Sequence, residues 1–335
     1  MALFPPLTSA DILAFQFSAW YPAFSSLTIK STVIRPLPTG FHEYLHSDGV
    51  FVPVGADDVP VESTLSDDED SGDEEEEFPR FAFPELDDKI RECLRQYGAV
   101  FPKLNFSSPQ DAAWVLPASS PLKCTSPADV YMLLKASDFM THDITPDLVF
   151  DGCTETESGA KDRGYQLELV LRKWYPVDKS RELRCFVRDN ALIAISQRDT
   201  NYYEFLNDPT SQRNIVSTIQ NFWETNIRDK WTGPKHYIFD FLLTRDLSKG
   251  HILDFNPYAP RTDSLLFSFE ELVTVSPQSE PIFRVIDSRA HPAASSNAPA
   301  NQHNMVPFEA LSLSSGLDIQ EFAGKWKDEI QKSVA

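Results

Sequence analysis

HYIFDFLLTRDLSKGHILDFNPYAP, residues 236–260, sets Asp240, Asp254 and Asn256 among strongly apolar neighbours, where an acid is expensive. The segment reads as two strands, 236–243 and 251–256, joined by the polar stretch TRDLSKG with Gly250 as the turn signal. Alternation puts Tyr237, Phe239 and Phe241 on one face of the first strand and Asp240 on the other. On the second strand Leu253 and Phe255 share a face, with Asp254 and Asn256 opposite. A hairpin centred near Leu247 sets residues 240 and 254 directly across from each other, with Cβ atoms about 5 Å apart. Two bare carboxylates so placed repel, and each loses hydration. A divalent cation removes both penalties. Magnesium takes oxygen ligands at about 2.1 Å, commonly one or two carboxylates plus phosphate oxygens. D-x-N facing D is thus a candidate magnesium–phosphate platform, with Asp240, Asp254 and Asn256 as metal ligands; the bland alternative is acids facing water at an edge or turn.

The chain has 335 residues and 41% apolar composition, enough for a large core and two lobes. Its net charge of −20 is concentrated in 57–77, DDVPVESTLSDDEDSGDEEEE, which holds twelve acids and no base, leaving −8 for the remainder. A run with so little apolar content cannot offset its ordering entropy, so a disordered acidic loop is expected there. Ser66 and Ser71 in it suit acid-directed kinases, against the simpler reading of a solvated spacer. An acidic chain without a basic stripe argues against nucleic acid as a direct partner. Cys93, Cys124, Cys153 and Cys185 form no C-x-x-C pair, so neither a zinc ribbon nor a disulfide framework is indicated. The first residues lack a basic stretch followed by an apolar core, and no apolar run approaches a membrane span. A cytosolic protein without membrane contact, monomeric on its own, is expected.

Periodicity predicts helices at 84–97, at 126–137 behind a Ser126 cap and Pro127, and at 209–229. Strands are predicted at 167–174, 183–188 and 191–196, besides the opening hairpin. Strands with interspersed helices but no regular βαβ rhythm read as α+β. Five segments are expected: 1–56, packing on the larger lobe; the acidic loop 57–77; a smaller lobe, 78–165; a larger lobe, 166–286; and 287–335, a flexible linker with a terminal helix in DIQEFAGKWKDEIQKSV. There is no internal repeat.

HEYLH at 42–46 matches the zinc-protease pattern H-E-x-x-H, but Val52 stands where a third histidine would be needed. Pro36, Pro38 and Gly40 before it and Ser47-Asp48-Gly49 after it leave little helix to present both histidines on one face, so the match is read as coincidence. No nucleophile-elbow pattern occurs, and the histidines stand apart from the cysteines. With 12 glycines and no P-loop or G-x-G-x-x-G, phosphates would have to be held by cationic side chains and metal. Lys103, in VFPKLNFSS, and Arg184, in ELRCFV, are the candidates, the bland reading of Lys103 being a surface lysine that snorkels. On strand 167–174, Leu167, Leu169 and Leu171 face the core, with Glu168 and Arg172 opposite. Arg172, Lys173, Trp174 and Tyr175 could supply an adenine-binding edge, and Gln197 and Arg198 end another strand. Two cations and a metal platform on one sheet face are what Mg-ATP requires.

FQFSAWYP (15–22), TIKSTVIRPLP (28–38), FPKLNFSSPQDAAW (101–114), LKCTSPADVYMLLKASDF (122–139), ELVLRKWYP (168–176), ELRCFVRDNALIAISQRD (182–199) and ILDFNPYAPRTDSLLF (252–267), with YIFDF (237–241), closely resemble the cell division cycle protein 123 family. The blocks run in family order from about residue 15 to 285. The resemblance implies a two-lobed ATP-grasp-like fold, with an antiparallel sheet carrying the nucleotide site between the lobes. It implies a cytosolic assembly chaperone that binds the gamma subunit of eukaryotic translation initiation factor 2 and promotes assembly of the heterotrimer. By the same resemblance Asp240, Asp254 and Asn256 hold Mg²⁺ on ATP, Lys103 and Arg184 contact phosphates, and 168–175 is the adenine hinge. Asn105, Glu168, Gln197 and Arg198 are implied less directly. The rival reading is an ATP-grasp ligase or nucleotidyl transferase with Lys103 as nucleophile, although PKLN lacks the K-x-D-G pattern. The aromatic cluster Phe15, Phe17, Trp20, Tyr21 and Phe24 is either core, the heavier reading, or a docking face for the partner.

Overall fold

The computed structural model describes residues 2–56, 81–117, 119–154 and 164–291. The acidic segment 57–77, with Ser66 and Ser71, lies outside them, as do most of the expected linker and the expected terminal helix.

The opening hairpin forms as β6 (Tyr237–Leu243) and β7 (Gly250–Pro257), and Asp240 and Asp254 are direct partners across it. Two details differ from expectation. The register shifts after Asp240, so Phe241 pairs with Ile252, and Leu253 becomes the extra residue of a bulge. Ile252, fully buried, therefore joins Phe255 in the core in place of the expected Leu253. The left-handed residue of the turn is Leu247, at φ 58°. Gly250 serves a different purpose: a Cβ there would lie 2.2 Å from the Phe241 ring, a close approach only glycine permits.

β6 and β7 belong to a five-stranded sheet of order β7-β6-β4-β5-β8, with β4 at Glu182–Arg188, β5 at Ala191–Gln197 and β8 at Ile282–Arg284. All its pairings are antiparallel except β5–β8. A second, antiparallel sheet of order β1-β3-β2 joins Ser31–Ile34, Leu169–Lys173 and Val100–Lys103, one strand from each of the expected segments 1–56, 166–286 and 78–165. Helices surround both sheets: α1 (Ser9–Ala14), α2 (Phe17–Phe24), α3 (Phe41–His46), α4 (Pro84–Tyr97), α5 (Pro127–Lys135), α6 (Met140–Ile144), α7 (Pro146–Val149), α8 (Glu204–Asn207), α9 (Pro209–Phe222) and α10 (Phe269–Thr274). The fold is α+β, as the pattern predicts.

Ends form where their chemistry allows. The Ser126 hydroxyl accepts from Asp129 N while the Asp129 carboxylate accepts from the Ser126 amide, a capping box with Pro127 behind it. The long helix expected at 209–229 ends as α9 at Phe222 and continues as one wider π turn, Trp223–Ile227.

Two main cores follow. Ile34, Phe41 and Tyr44 join α4, α5, Leu169 and Leu171 in the smaller lobe. In the larger lobe, Phe17, Trp20 and Phe24 pack with Ile215 and Ile219 of α9 against Phe239, Phe241 and Phe255 of the hairpin. The aromatic cluster near the N-terminus is thus core, only Tyr21 being partly exposed. β3 is buried on both faces, because Leu169 and Leu171 face the smaller core and Val170 the larger one. The face that carries Glu168 and Arg172 points at the other lobe, away from water.

Candidate functional site

Strand register builds the centre of the site. Arg184 of β4 is the direct partner of Asp240 on β6, which is the partner of Asp254 on β7, so the three lie in a row across neighbouring strands. Asn256, two residues beyond Asp254, shares its face, and its Nδ2 stands 3.5 Å from Asp240 Oδ2. Arg184 grips Asp240 with both prongs, Nε to Oδ1 at 2.8 Å and Nη2 to Oδ2 at 2.9 Å, the strong bidentate geometry of a guanidinium on a carboxylate. From the other sheet, Lys103 at the end of β2 donates to Asp254 Oδ2 at 2.7 Å and to the Phe106 carbonyl at 2.7 Å. Its side chain is fully buried, with Nζ 5.7 Å from the centre of the Phe17 ring; it does not snorkel.

The bare-carboxylate problem is therefore solved by cations of the chain itself. Burial alone would push the Asp240 carboxyl up, but Arg184, with Arg198 and Lys103, more than offsets this and holds it below the usual range. Arg198 Nη1 pairs with Glu182 Oε2 at 2.9 Å, and its Nε lies 4.0 Å from Asp240; Asp240 above all keeps that guanidinium protonated. Glu182 is pushed up by burial, with Arg198 opposing. Arg172 donates to the Leu253 carbonyl at 2.8 Å and stacks 5.3 Å from the centre of the Phe17 ring. Burial lowers its pKa while the field of nearby Asp254 opposes the shift, and its Nε is buried without a hydrogen-bond partner. Lys103, Arg172, Arg184 and Arg198 thus face Glu182, Asp240 and Asp254, one cation in excess. A cavity of about 480 Å³ opens alongside, with Phe15, Phe106 and Phe255 among its walls and Arg184, Asn256, Arg261 and Asp263 among its polar lining; that volume lies within the range of small-molecule sites.

Other expected residues stand apart. Glu168 accepts from Ser18 N at 3.0 Å and Gln16 Nε2 at 3.1 Å, and Asn105 Oδ1 accepts from Glu168 N at 2.9 Å. Both fasten the start of α2. Gln197 is spent on the Asp199 and Asn201 carbonyls and the Ile286 amide. The expected adenine edge is not open along β3, the middle strand of its sheet, where Lys173 N donates to Lys30 O and Trp174 N to Ala99 O. Trp174 Nε1 bonds the Pro121 carbonyl at 3.1 Å, while Lys173 leans over exposed Tyr175.

The two histidines of H-E-x-x-H do share a face of the six-residue α3, which the sequence reading denied it could provide. They serve structure: His42 Nε2 and His46 Nε2 both approach the Ile144 carbonyl, at 2.7 and 3.3 Å. Among the described residues no group of three His, Cys, Asp or Glu side chains could hold a metal ion. Sequence reasoning missed Glu182, although it sits two residues from Arg184 and so on its face.

Fold and site together define a two-lobed α+β protein whose charged centre lies where the two sheets meet. The D123 family model matches residues 20–314, and the chain belongs to that family. It is 36% identical over 334 residues to the translation initiation factor eIF2 assembly protein of Schizosaccharomyces pombe, covering 98% of each chain. It is 37% identical over 316 residues to cell division cycle protein 123 of Yarrowia lipolytica, covering 92% of this chain and 80% of that one. The solved structure of Cdc123 from Schizosaccharomyces pombe matches with a TM-score of 0.69 and 35% identity, over 85% of this chain and all of the other.

Proposed function

We propose that this chain is a cytosolic, ATP- and Mg²⁺-binding assembly chaperone of eukaryotic translation initiation factor 2, which binds the gamma subunit and promotes assembly of the heterotrimer. The names borne by full-length relatives support the assembly role. One observation supports the nucleotide: Asp240 and Asp254 face each other in register, each matched to a buried cation brought from a different strand. The surplus positive charge suits a triphosphate, and the position between the lobes suits the ATP-grasp-like arrangement that the family resemblance implies.

The donor set fits magnesium. Asp240, Asp254 and Asn256 offer hard oxygens on one face, too few for an all-protein cage, and Mg²⁺ characteristically completes its shell with phosphate oxygens and water. When bound, the ion would neutralise phosphate charge. Lys103 and Arg184 would then exchange part of their carboxylate contact for phosphate, while Arg172 and Arg198 would hold the field positive. ATP serves here to fasten the lobes in a partner-competent form.

The test is calorimetry of the full chain with Mg-ATP, followed by capture of the gamma subunit with and without nucleotide. Saturable Mg²⁺-dependent binding and nucleotide-strengthened capture are expected; no heat with excess Mg²⁺ would remove the nucleotide from the proposal. An ATP-grasp ligase would activate its substrate as an acyl phosphate and leave the mass of this chain unchanged, whereas the nucleotidyl-transferase alternative requires an intact-mass gain of one AMP on Lys103. That nitrogen already donates to Asp254 and the Phe106 carbonyl, so no adduct is expected.

A further inference from the structure

Lys103 takes its direction from the turn that follows β2. Leu104 N donates to Ser107 O at 2.9 Å to close the turn, and its Phe106 carbonyl accepts Lys103 Nζ. Asn105 ties the first half of the turn to the Gln166 carbonyl, the Glu168 amide and the Phe17 amide, and the Phe106–Ser107 half is held by Asp143 on α6, which is completely buried. Asp143 Oδ2 accepts the amides of Phe106 at 2.7 Å and Ser107 at 3.0 Å; Oδ1 accepts the Ser107 hydroxyl at 2.8 Å and faces His142 Nδ1 at 2.8 Å. Successive amides converging on one oxygen form a small anion nest, here filled by the chain's own carboxylate. Tyr165 reinforces it, donating to the Asp143 carbonyl at 2.6 Å and stacking over Phe106 at 6.4 Å between ring centres.

We infer that Asp143 is a positioning residue for Lys103: by clamping the Phe106–Ser107 turn it aims the Phe106 carbonyl, and through it the lysine ammonium, at Asp254 and the phosphate site. This rests on the proposed nucleotide reading for its functional meaning. Its structural alternative is that Asp143 merely glues α6 to the smaller lobe. The two differ in coupling. A residue that acts through Lys103 has nothing left to lose once Lys103 is gone, whereas glue weakens either background equally.

Mg-ATP affinity of the full chain is measured by calorimetry for the parent, Asp143→Asn, Lys103→Met and the double variant. Asp143→Asn is expected to weaken binding about tenfold or more, as loss of an outer-shell partner does elsewhere, and to change the Lys103→Met background by no more than about twofold. Equal losses in both backgrounds would overturn the inference. Tyr131→Phe, which removes the hydrogen bond to buried Asp87 in the same lobe, should leave affinity unchanged. A second readout needs no nucleotide: labelling of Lys103 by an amine acylating reagent, followed by peptide mass spectrometry. It should accelerate several-fold in Asp143→Asn and not in Tyr131→Phe; equal rates would overturn the inference. If the parent chain gives no Mg-ATP heat, the nucleotide reading fails while labelling still decides Asp143. It decides likewise wherever binding becomes too weak to read. Should Asp143→Asn not fold, Ser107→Ala, which removes a single donor to the same carboxylate, replaces it in both measurements.

Discussion

Asp240 and Asp254 look alike in the sequence and respond differently to loss. Asp240 is buried in the grip of Arg184, so Asp240→Ala strands a guanidinium and is expected to destabilise by about 3–5 kcal/mol, read from denaturant unfolding. Asp254 is a fifth exposed, and the sequence alone predicts that Asp254→Ala spares the fold because it removes charge rather than core volume. The structure adds a cost: Asp254 is the counter-charge of fully buried Lys103, and its loss leaves that ammonium with one carbonyl. Asp254→Asn is the cleaner probe, because it keeps an oxygen for Lys103. It should hold stability to within about 1–2 kcal/mol and abolish Mg-ATP binding; parental affinity would refute the platform. Asp240 also fixes a sign with pH. Its folded pKa is depressed, so its stabilisation is complete above its unfolded value, about 4, and is lost as pH falls further through the folded one. Asp240 and Asp254 were legible as a pair because strand alternation and a turn are local signals. Their partners were legible only as isolated cations.

Among the elements, α2 carries the clearest lesson. Its aromatic density could mean core or docking face, and composition alone does not choose. The hairpin strands chose, since Trp20 meets Phe255 with ring centres 5.2 Å apart and Phe17 seals the cluster over Lys103 and Arg172. Trp20→Ala should therefore destabilise by about 3–5 kcal/mol, seen as a lowered midpoint in circular dichroism. The start of α2 is fastened by Glu168, whose carboxyl is pushed up chiefly by burial, with the hydrogen bonds from Ser18 and Gln16 opposing. A raised acid contributes stability below its unfolded pKa and loses it as pH rises through the folded value. Glu168→Gln should therefore gain more stability relative to the parent at about pH 8 than below the unfolded glutamate value of about 4; no pH-dependent difference would place its burial cost elsewhere. The bulge at Leu253 was not legible, because a single-residue slip leaves the local pattern plausible on either face.

At the scale of the whole molecule, Lys103 and Arg172 from one sheet meet Asp254 and the Leu253 carbonyl from the other, so a ligand at their junction should tie the lobes together. Mg-ATP at 100 times its Kd would stabilise the fold by about 2.7 kcal/mol, a rise in Tm of about 5 °C, and Asp254→Asn should erase that rise. The ordinary charge left outside residues 57–77 leaves the rest of the chain free to hold a locally positive centre.

What the sequence determined by itself is what short-range physics controls: the α+β class, the hairpin and its facing acids, the capped α5, and, through long matching blocks, the family. What only the tertiary structure decided is what lies far apart in the chain: that Lys103 closes on Asp254 from another sheet, that Glu168 and Gln197 are fasteners, that β3 has no free edge, and that Asp143 clamps the turn behind Lys103. Periodicity reports which way a side chain points from its own strand; which partner waits there is settled when distant segments pack.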